Sequence, residues 1–340
     1  MNQRQNKIKV IDSGLLTSVQ DMGRYGYQKY GIIVSGAMDT VSLALANIAV
    51  GNQLDTGTLE MTLCGASLEL HAGTVFALTG ADMSAALADE PVPMHRPVLV
   101  TRRDAVLTLH GTGKGTGART YLAFAGGIHV PQRMGSQSTY LRAGIGGYQG
   151  RALQAGDVLC LGDAASMADR LRGTGHRIST SMISVSWRTP MVPVRTMRPI
   201  RVTRGLQADW FTSDSLEAFF AQGTFRLTNQ SDRMGYRLAG SKLCLRQPRE
   251  LISEPVAFGT VQVADGQPII LMADRQTTGG YPKIAQVAQA DLSRLGQKKA
   301  GDTLVFEEVT LREAEKLLRD QRAMLAEVES SVHLALGKGL

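Results

Sequence analysis

The sequence predicts a mainly β protein with a few helices, organised as two β-rich units. Three observations lead there. From residue 59 to about 185, short apolar runs alternate with Gly, Pro or Asp breaks, the pattern of a β-barrel or sandwich. Glycine accounts for 37 of 340 residues and aromatics for only 5%, which suits many turns joining short strands. A motif order also recurs. Leu63-Cys64-Gly65-Ala66-Ser67-Leu68 resembles Leu238-Ala239-Gly240-Ser241-Lys242-Leu243, Ala81-Asp82 resembles Ala273-Asp274, and Ala155-Gly156-Asp157-Val158-Leu159 resembles Ala300-Gly301-Asp302-Thr303-Leu304. Two related units explain this order; so does chance, since Gly-Asp turns are frequent. The expected division is 1–185, 196–320 and a C-terminal helix over 310–336, with an Arg- and Pro-rich join near 170–200.

In chain order, residues 8–11 and 15–19 read as strands around the turn Asp12-Ser13-Gly14. The loop Gln20-Asp21-Met22-Gly23-Arg24-Tyr25 follows, dense in polar and aromatic groups. After Ser35-Gly36-Ala37-Met38, Asp39 suits the N-cap of a helix through Leu43, Ala46, Asn47 and Val50 that Gly51 stops. Asp39 can serve as that cap or as a catalytic acid. Asn47 falls on the apolar side of the helix, where it must find partners, either a ligand or a neighbouring loop. Strands are expected at 59–63, 68–70, 75–78, 98–100, 106–109, 121–124 and 158–161, and a helix over 214–222. The tail from Thr310 reads as a helix: Thr310 and Glu313 make a capping box, and Leu311, Ala314, Leu317, Leu318 and Leu325 form a stripe expected to pack on its own domain.

The stretch Ala273-Asp274-Arg275-Gln276-Thr277-Thr278-Gly279-Gly280-Tyr281-Pro282 concentrates the polar chemistry. The apolar run 269–272 predicts a strand before it. Pro282, Ile284, Val287, Ala288 and Leu295 predict a helix over 282–295 after it. Glycines and a helix start would present N–H groups to a carboxylate or phosphate, with Lys283 adding a cation. A capped βα-turn with Thr277 or Thr278 as N-cap accounts for the same residues.

Composition narrows the function classes. The net charge of +7 allows an anionic partner. The arginines crowd between Arg170 and Arg204 with a single aromatic, Trp187, so the interleaving that stacks bases is absent and no nucleic-acid partner is expected. Cys64, Cys160 and Cys244 sit beside leucines and are expected to be free, buried thiols, which points to a reducing compartment. The N-terminal Met1-Asn2-Gln3-Arg4 has no signal-peptide core, and no apolar run approaches a membrane span, so a cytoplasmic protein without a membrane partner is expected. The six histidines include no pair at helical spacing and none beside a cysteine, so no metal site is expected. Gly111-Thr112-Gly113-Lys114-Gly115-Thr116-Gly117 lacks the Gly-Lys-Ser/Thr of a phosphate loop and reads as a hairpin tip. Gly144-Ile145-Gly146-Gly147 reads as close backbone packing. There is no nucleophile elbow and no biotinyl-lysine segment.

Three polar clusters remain: Gln20, Asp21 and Arg24 with Ser35 and Asp39; Ser231-Asp232-Arg233; and 274–281. Acid, guanidinium and hydroxyl groups beside glycines suit the handling of a small anionic substrate, and a site shared between the halves is expected. These residues, with Leu78-Thr79-Gly80-Ala81-Asp82, Ala125-Gly126-Gly127-Ile128 and Gly135-Ser136-Gln137-Ser138-Thr139, resemble the family of biotin-dependent carboxyltransferases, allophanate hydrolase subunit 2 and KipA, over roughly 8–320. The resemblance implies two cyclophilin-like β-barrel units packed together. It implies a KipI or allophanate hydrolase subunit 1-like partner, and a third subunit if the chain works as the C-subunit of an ATP-dependent 5-oxoprolinase. That role opens the lactam of 5-oxoproline to L-glutamate and is favoured because the chain lacks fused carboxylase or carrier segments. ATP is required, bound here or by a partner, and no biotin is attached to this chain. A carboxyltransferase using carboxybiotin on another protein, and a KipA-like regulator of a kinase inhibitor, are the alternatives. In the lactam chemistry Arg24, Arg233 and the Gly279 and Gly280 N–H groups would stabilise negative charge. Asp39 or Asp232 would move protons. Gln20, Asp21, Ser35, Asn47, Asp274, Gln276, Thr277, Thr278 and Tyr281 would bind substrate.

Overall fold

The structure, a computed structural model, describes residues 7–112, 117–192, 198–221 and 223–337. The polar N-terminus up to residue 6, the tip of the glycine-rich 111–117 segment and part of the Arg- and Pro-rich join lie outside those residues. The chain divides into two compact units, one of Met1–Gly23, Asp39–Val194 and Met324–Leu340, the other of Arg24–Met38 and Arg195–Ala323.

In the first unit, β1 (Lys7–Asp12), β4 (Ser67–Leu70), β6 (Ala86–Leu87), β7 (Glu90–Pro91), β9 (Ala105–Thr108) and β11 (Val158–Cys160) form one sheet, in the order β11-β1-β4-β9-β6-β7. β2 (Thr17–Gln20), β3 (Thr58–Thr62), β5 (Val75–Gly80), β8 (Pro97–Val100), β10 (Arg119–Phe124), β12 (His176–Arg177) and β13 (Met182–Ser184) form a second, ordered β12-β13-β8-β5-β10-β3-β2. All pairs in these sheets are antiparallel. The core lies between them: Ile8 and Val10 point inward from the first sheet, and Phe76, Leu78, Leu122 and Phe124 from the second. The opposite face of β5 and β10 is covered by helix α1 (Thr40–Ala49), in which nine of ten residues are buried. A strand covered on both faces reads as a continuous apolar run, as 75–78 and 121–124 do. α2 (Ala165–Thr174) ends the unit's helical content before the join.

The second unit is a closed barrel. Its strands are β14 (Ile200–Arg204), β15 (Thr224–Leu227), β16 (Gly235–Ala239), β18 (Thr260–Ala264), β19 (Gln267–Leu271), β21 (Lys283–Val287) and β22 (Thr303–Glu308), in the order β14-β21-β18-β19-β16-β15-β22. Closure pairs β14 with β22 in parallel; the other pairs are antiparallel. The interior holds Val202, Phe225, Val261, Ile270, Ile284 and Phe306, and Met38 enters it from the Arg24–Met38 segment. Helix α3 (Ser213–Phe220) seals one end by stacking Phe219 on Phe306 at 4.5 Å. A ribbon of β17 (Glu254–Pro255) and β20 (Thr278–Gly279) lies outside the barrel. Among the described residues this is one closed barrel; the first unit's strands form two sheets, and a second barrel is not seen.

Two local expectations are corrected. Residues 282–295 are not one helix. β21 is followed by a 3-10 turn, Gln289–Asp291, and the short helix α4 (Leu292–Gly296). Ile284 and Val287, three apart, carry a helical spacing, but two residues over so short a run do not settle the period. What decides is pairing: β21 fills the gap between β14 and β18, and without it the barrel would expose two edges. The cysteines are free, as expected, but exposed rather than buried. Strand alternation explains Cys160, since its neighbour Leu159 takes the inward position of β11. The C-terminal helix α5 (Leu311–Ala335) begins with the expected capping box, Thr310 N–H donating to Glu313 Oε2 at 2.8 Å and Glu313 N–H to Thr310 Oγ1 at 3.2 Å. Its stripe is only half-buried at Leu317, Leu318 and Leu325, and Leu311 is exposed. No helix of the described residues is long and apolar enough to cross a membrane.

Candidate functional site

In the second unit three of the predicted residues meet around one carboxylate. Asp274 follows β19, and Arg233 lies in the loop before β16. The two backbones are stitched together by Asp274 N–H donating to Arg233 O at 2.8 Å and Met272 N–H to Met234 O at 2.9 Å. That pairing aims both side chains the same way. Arg233 Nε donates to Asp274 Oδ2 at 2.9 Å and Nη2 to Oδ1 at 3.1 Å, a bidentate pair with both side chains 6% exposed. Ser35 Oγ donates to Asp274 Oδ1 at 2.7 Å, and Arg233 Nη2 also reaches Gly36 O at 2.5 Å. Ser35 holds φ at +57° and Gly36 at +95°, so the chain reverses sharply to bring these groups to the barrel. Arg24, fully buried, starts the same segment and donates its backbone N–H to Val34 O at 2.7 Å.

Asp232 points away from this node. Its Oδ1 accepts from Met234 N–H at 2.8 Å and Gly235 N–H at 3.1 Å, closing a turn, and the side chain is at the surface. The loop 275–282 runs over the barrel with Gln276, Thr278 and Tyr281 exposed and Thr277, Gly279 and Gly280 half-buried. Val256 N–H donates to Thr277 O at 3.1 Å and Val263 N–H to Pro282 O at 3.0 Å. Gly279 packs on the Gln262 amide, where a Cβ would collide. Thr277 and Thr278 cap no helix; Thr278 pairs with Pro255. Lys283 is not a ligand-facing cation. It is buried and its Nζ lies 2.8 Å from Glu254 Oε2, and that hydrogen bond holds the Glu254 carboxyl below its usual range.

Arg275 was not among the residues expected from the sequence. Its neighbours in the motif have recognisable spacing, whereas a single arginine between Asp and Gln carries no local signal. Its side chain is buried, its guanidinium carbon stands 5.8 Å from the Phe258 ring centre, and its hydrogen bond is a long one, Nη1 to Met272 O at 3.4 Å.

In the first unit the predicted residues are engaged by their own neighbours. Asp21 Oδ1 accepts from Gly23 N–H at 2.8 Å, from Ser136 Oγ at 2.8 Å and from Ser138 Oγ, while Oδ2 accepts from Gln137 N–H at 2.5 Å. Gln20 donates to Ser18 Oγ at 3.0 Å and Thr139 O at 3.1 Å. The motif residues 135–139 therefore clamp the end of β2. Asp39 is the N-cap of α1, accepting from Ser42 N–H at 2.9 Å and Ser42 Oγ at 2.5 Å. Its own N–H donates to Tyr121 Oη at 2.8 Å, and Tyr121 donates to Glu60 Oε2 at 2.7 Å. Burial, with Glu60 and Asp39 nearby, raises the Tyr121 pKa, so the phenol stays a neutral donor. Asn47 Nδ2 donates to Thr56 O at 2.7 Å, and Asn52 Nδ2 to Asn47 Oδ1 at 3.0 Å, so Asn47 holds the loop after α1.

A groove of about 380 Å³ in the first unit lies between Trp187, Arg188 and Pro190 and the face of α5 at Met324, Val328 and Val332; none of the predicted residues lines it. Among the described residues no group of three or more His, Cys, Asp or Glu is placed to hold a metal ion. The chemistry on offer in the second unit is thus a locked carboxylate, two buried guanidinium groups, and exposed amide, hydroxyl and phenol groups on the 275–282 loop.

Comparison with known proteins supplies the family. The model for the carboxyltransferase domain, subdomain A and B, matches residues 30–308. The chain is 38% identical over 326 residues to the 5-oxoprolinase C-subunit of Haemophilus influenzae, covering 96% of this chain and 98% of that one. It is 39% identical over 329 residues to the 5-oxoprolinase C-subunit of Escherichia coli, covering 96% and 99%. Among solved structures, the urea carboxylase of Kluyveromyces lactis superposes with a TM-score of 0.85 at 30% identity, covering 98% of this chain but only 30% of the urea carboxylase chain. The motifs around Asp21, Asp39, Arg233 and Asp274, the barrel that carries the last two, and the family match over 30–308 agree: this chain belongs to the carboxyltransferase domain family, subdomains A and B, which includes the biotin-dependent carboxyltransferases.

Proposed function

We propose that this chain is one subunit of an ATP-dependent 5-oxoprolinase that opens the lactam of 5-oxoproline to L-glutamate. The observation that carries this reading is the end-to-end match, at 38–39% identity, to two proteins named as the C-subunit of 5-oxoprolinase. The chain works with a KipI or allophanate hydrolase subunit 1-like partner and a third 5-oxoprolinase subunit, and its closed barrel is the cyclophilin-like unit. Its glycine-rich segment lacks Ser or Thr after Lys114, so ATP is assigned to a partner subunit, and no biotin is attached here. When bound, ATP supplies the phosphoryl group that turns the amide oxygen into a leaving group; two waters are then consumed, one to open the C–N bond and one to release phosphate.

The part of this chain's residues is to bind, orient and move protons. Gln276, Thr277, Thr278 and Tyr281, with the Gly279 and Gly280 backbone, hold the lactam. Asp232, at the surface and with Oδ2 outside its turn, serves the departing nitrogen as proton donor and acceptor. Arg233, Asp274 and Ser35 fix the frame of the loop, and Arg24 keeps its proposed part as a guanidinium that stabilises developing negative charge. Asp39 drops out as a proton carrier because both its oxygens are taken up by Ser42.

The test is reconstitution. The chain mixed with both partner subunits, ATP and 5-oxoproline is expected to release glutamate and ADP in equal amounts, and omission of the chain to abolish it. Asp232→Ala and Thr278→Ala should each lower turnover by roughly tenfold or more. The likeness to urea carboxylase favours one second reading, transfer of a carboxyl group from carboxybiotin on another protein. No glutamate with all partners present, together with carboxyl transfer from free carboxybiotin, would select it.

A further inference from the structure

We infer that Arg275 is the group that binds the carboxylate of a small organic acid in the second unit, and, on the reading above, that it selects 5-oxoproline over lactams that lack a carboxylate. The evidence is a mismatch of charge and partners. Arg275 is 7% exposed, yet its hydrogen bonding is limited to Met272 O at 3.4 Å, and its buried Nε has no partner. A guanidinium carries five N–H donors, and a buried charge is costly unless it is paired. The adjacent carboxylate does not supply the pairing by contact, because Asp274 directs its oxygens to Arg233 and Ser35. Two buried guanidinium groups, Arg233 and Arg275, therefore accompany one carboxylate where the 275–282 loop begins, a surplus of one positive charge.

The surroundings suit an organic acid. The Phe258 ring stands 5.8 Å from the guanidinium carbon, offering an apolar wall. Burial lowers the Arg275 pKa, while the neighbouring Tyr25 and Asp274 raise it, and the group remains a cation at neutral pH. Gln276 and Thr278, exposed on the same loop, can hydrogen-bond the rest of such a molecule. A planar fork with free donors matches a carboxylate in two parallel hydrogen bonds, which a lysine cannot reproduce.

Two measurements test this. In melting experiments on the isolated chain, 5-oxoproline is expected to raise the midpoint of the wild type but not of Arg275→Met, and 2-pyrrolidinone, the same lactam without its carboxylate, to raise neither. In the reconstituted complex, Arg275→Met is expected to lower kcat/KM for 5-oxoproline by roughly tenfold or more, mainly through KM, and to leave 2-pyrrolidinone turnover unchanged. Arg275→Lys keeps the charge without the fork and should fall between. Because the substitution removes an uncompensated buried charge, Arg275→Met should melt no lower than the wild type. The inference is overturned if 5-oxoproline raises the midpoint of Arg275→Met as much as that of the wild type, if KM is unchanged, or if inorganic phosphate stabilises the wild type through Arg275 as well as 5-oxoproline does. A complex that yields no glutamate while 5-oxoproline still stabilises the wild type through Arg275 sinks the proposed activity and leaves this inference standing.

Discussion

At the scale of single residues, polar groups here divide by whether their hydrogen bonds are complete. Asp21, Asp39 and Asn47 are complete, each binding a loop end or a helix start, and Asp274 is held by a guanidinium and a hydroxyl. The N-cap role of Asp39 was legible because capping depends on three or four adjacent residues. The meeting of Ser35 with Asp274, 239 positions apart, was not, since no local pattern encodes a contact made by barrel closure. His95 offers a pH test. It is 3% exposed, and burial, followed by the nearby Arg188, lowers its pKa to about 4. Its unfolded value is about 6.5. The unfolded chain therefore binds the extra proton between those values, and stability falls as pH drops from about 6.5 toward 4. Compared with His95→Gln, the wild type should lose about 2–3 kcal/mol more between pH 7.5 and 4.5 in denaturant melts. Parallel pH profiles would remove His95 from the acid sensitivity of the fold.

At the scale of elements, most strands were readable because alternation and Gly, Pro or Asp breaks are local signals: 75–78, 121–124 and most of 269–272 fall in strands. The exception, 282–295, shows the limit. Ile284 and Val287 satisfy a helical spacing, yet the barrel needs a strand there. The seam between β14 and β21 ends at Gly205, whose N–H donates to Ile284 O at 2.9 Å and whose missing side chain leaves room for the Lys283 carbonyl. Gly205→Ala would push that carbonyl away and strain the seam. The expected loss is about 1–3 kcal/mol in unfolding free energy, read by urea melts; a variant as stable as the wild type would show that the seam can yield.

For the whole molecule, the recurring motif order suggested two β-rich units, but it carries no sign of the exchange of segments between them. Arg24–Met38 groups with the barrel that begins near residue 200, and Met324–Leu340 groups with the unit that begins at the N-terminus. The first of these carries Ser35, Gly36 and Met38, all of which engage the barrel. A chain cut between 194 and 195 and purified as separate pieces should therefore give two fragments without cooperative melting, whereas the pieces mixed together should recover a sharp transition. Two independently cooperative fragments would show that the exchanged segments are dispensable.

The same exchange orders events during translation. The barrel's first strand is made long after Arg24–Met38 has left the ribosome, so that segment waits, Met38 included, for strands not yet synthesised. The N-terminal unit in turn lacks its last helical turns until residues 324–337 emerge. Neither half can finish before nearly all of the chain is out, and chaperone demand should be greatest late in synthesis.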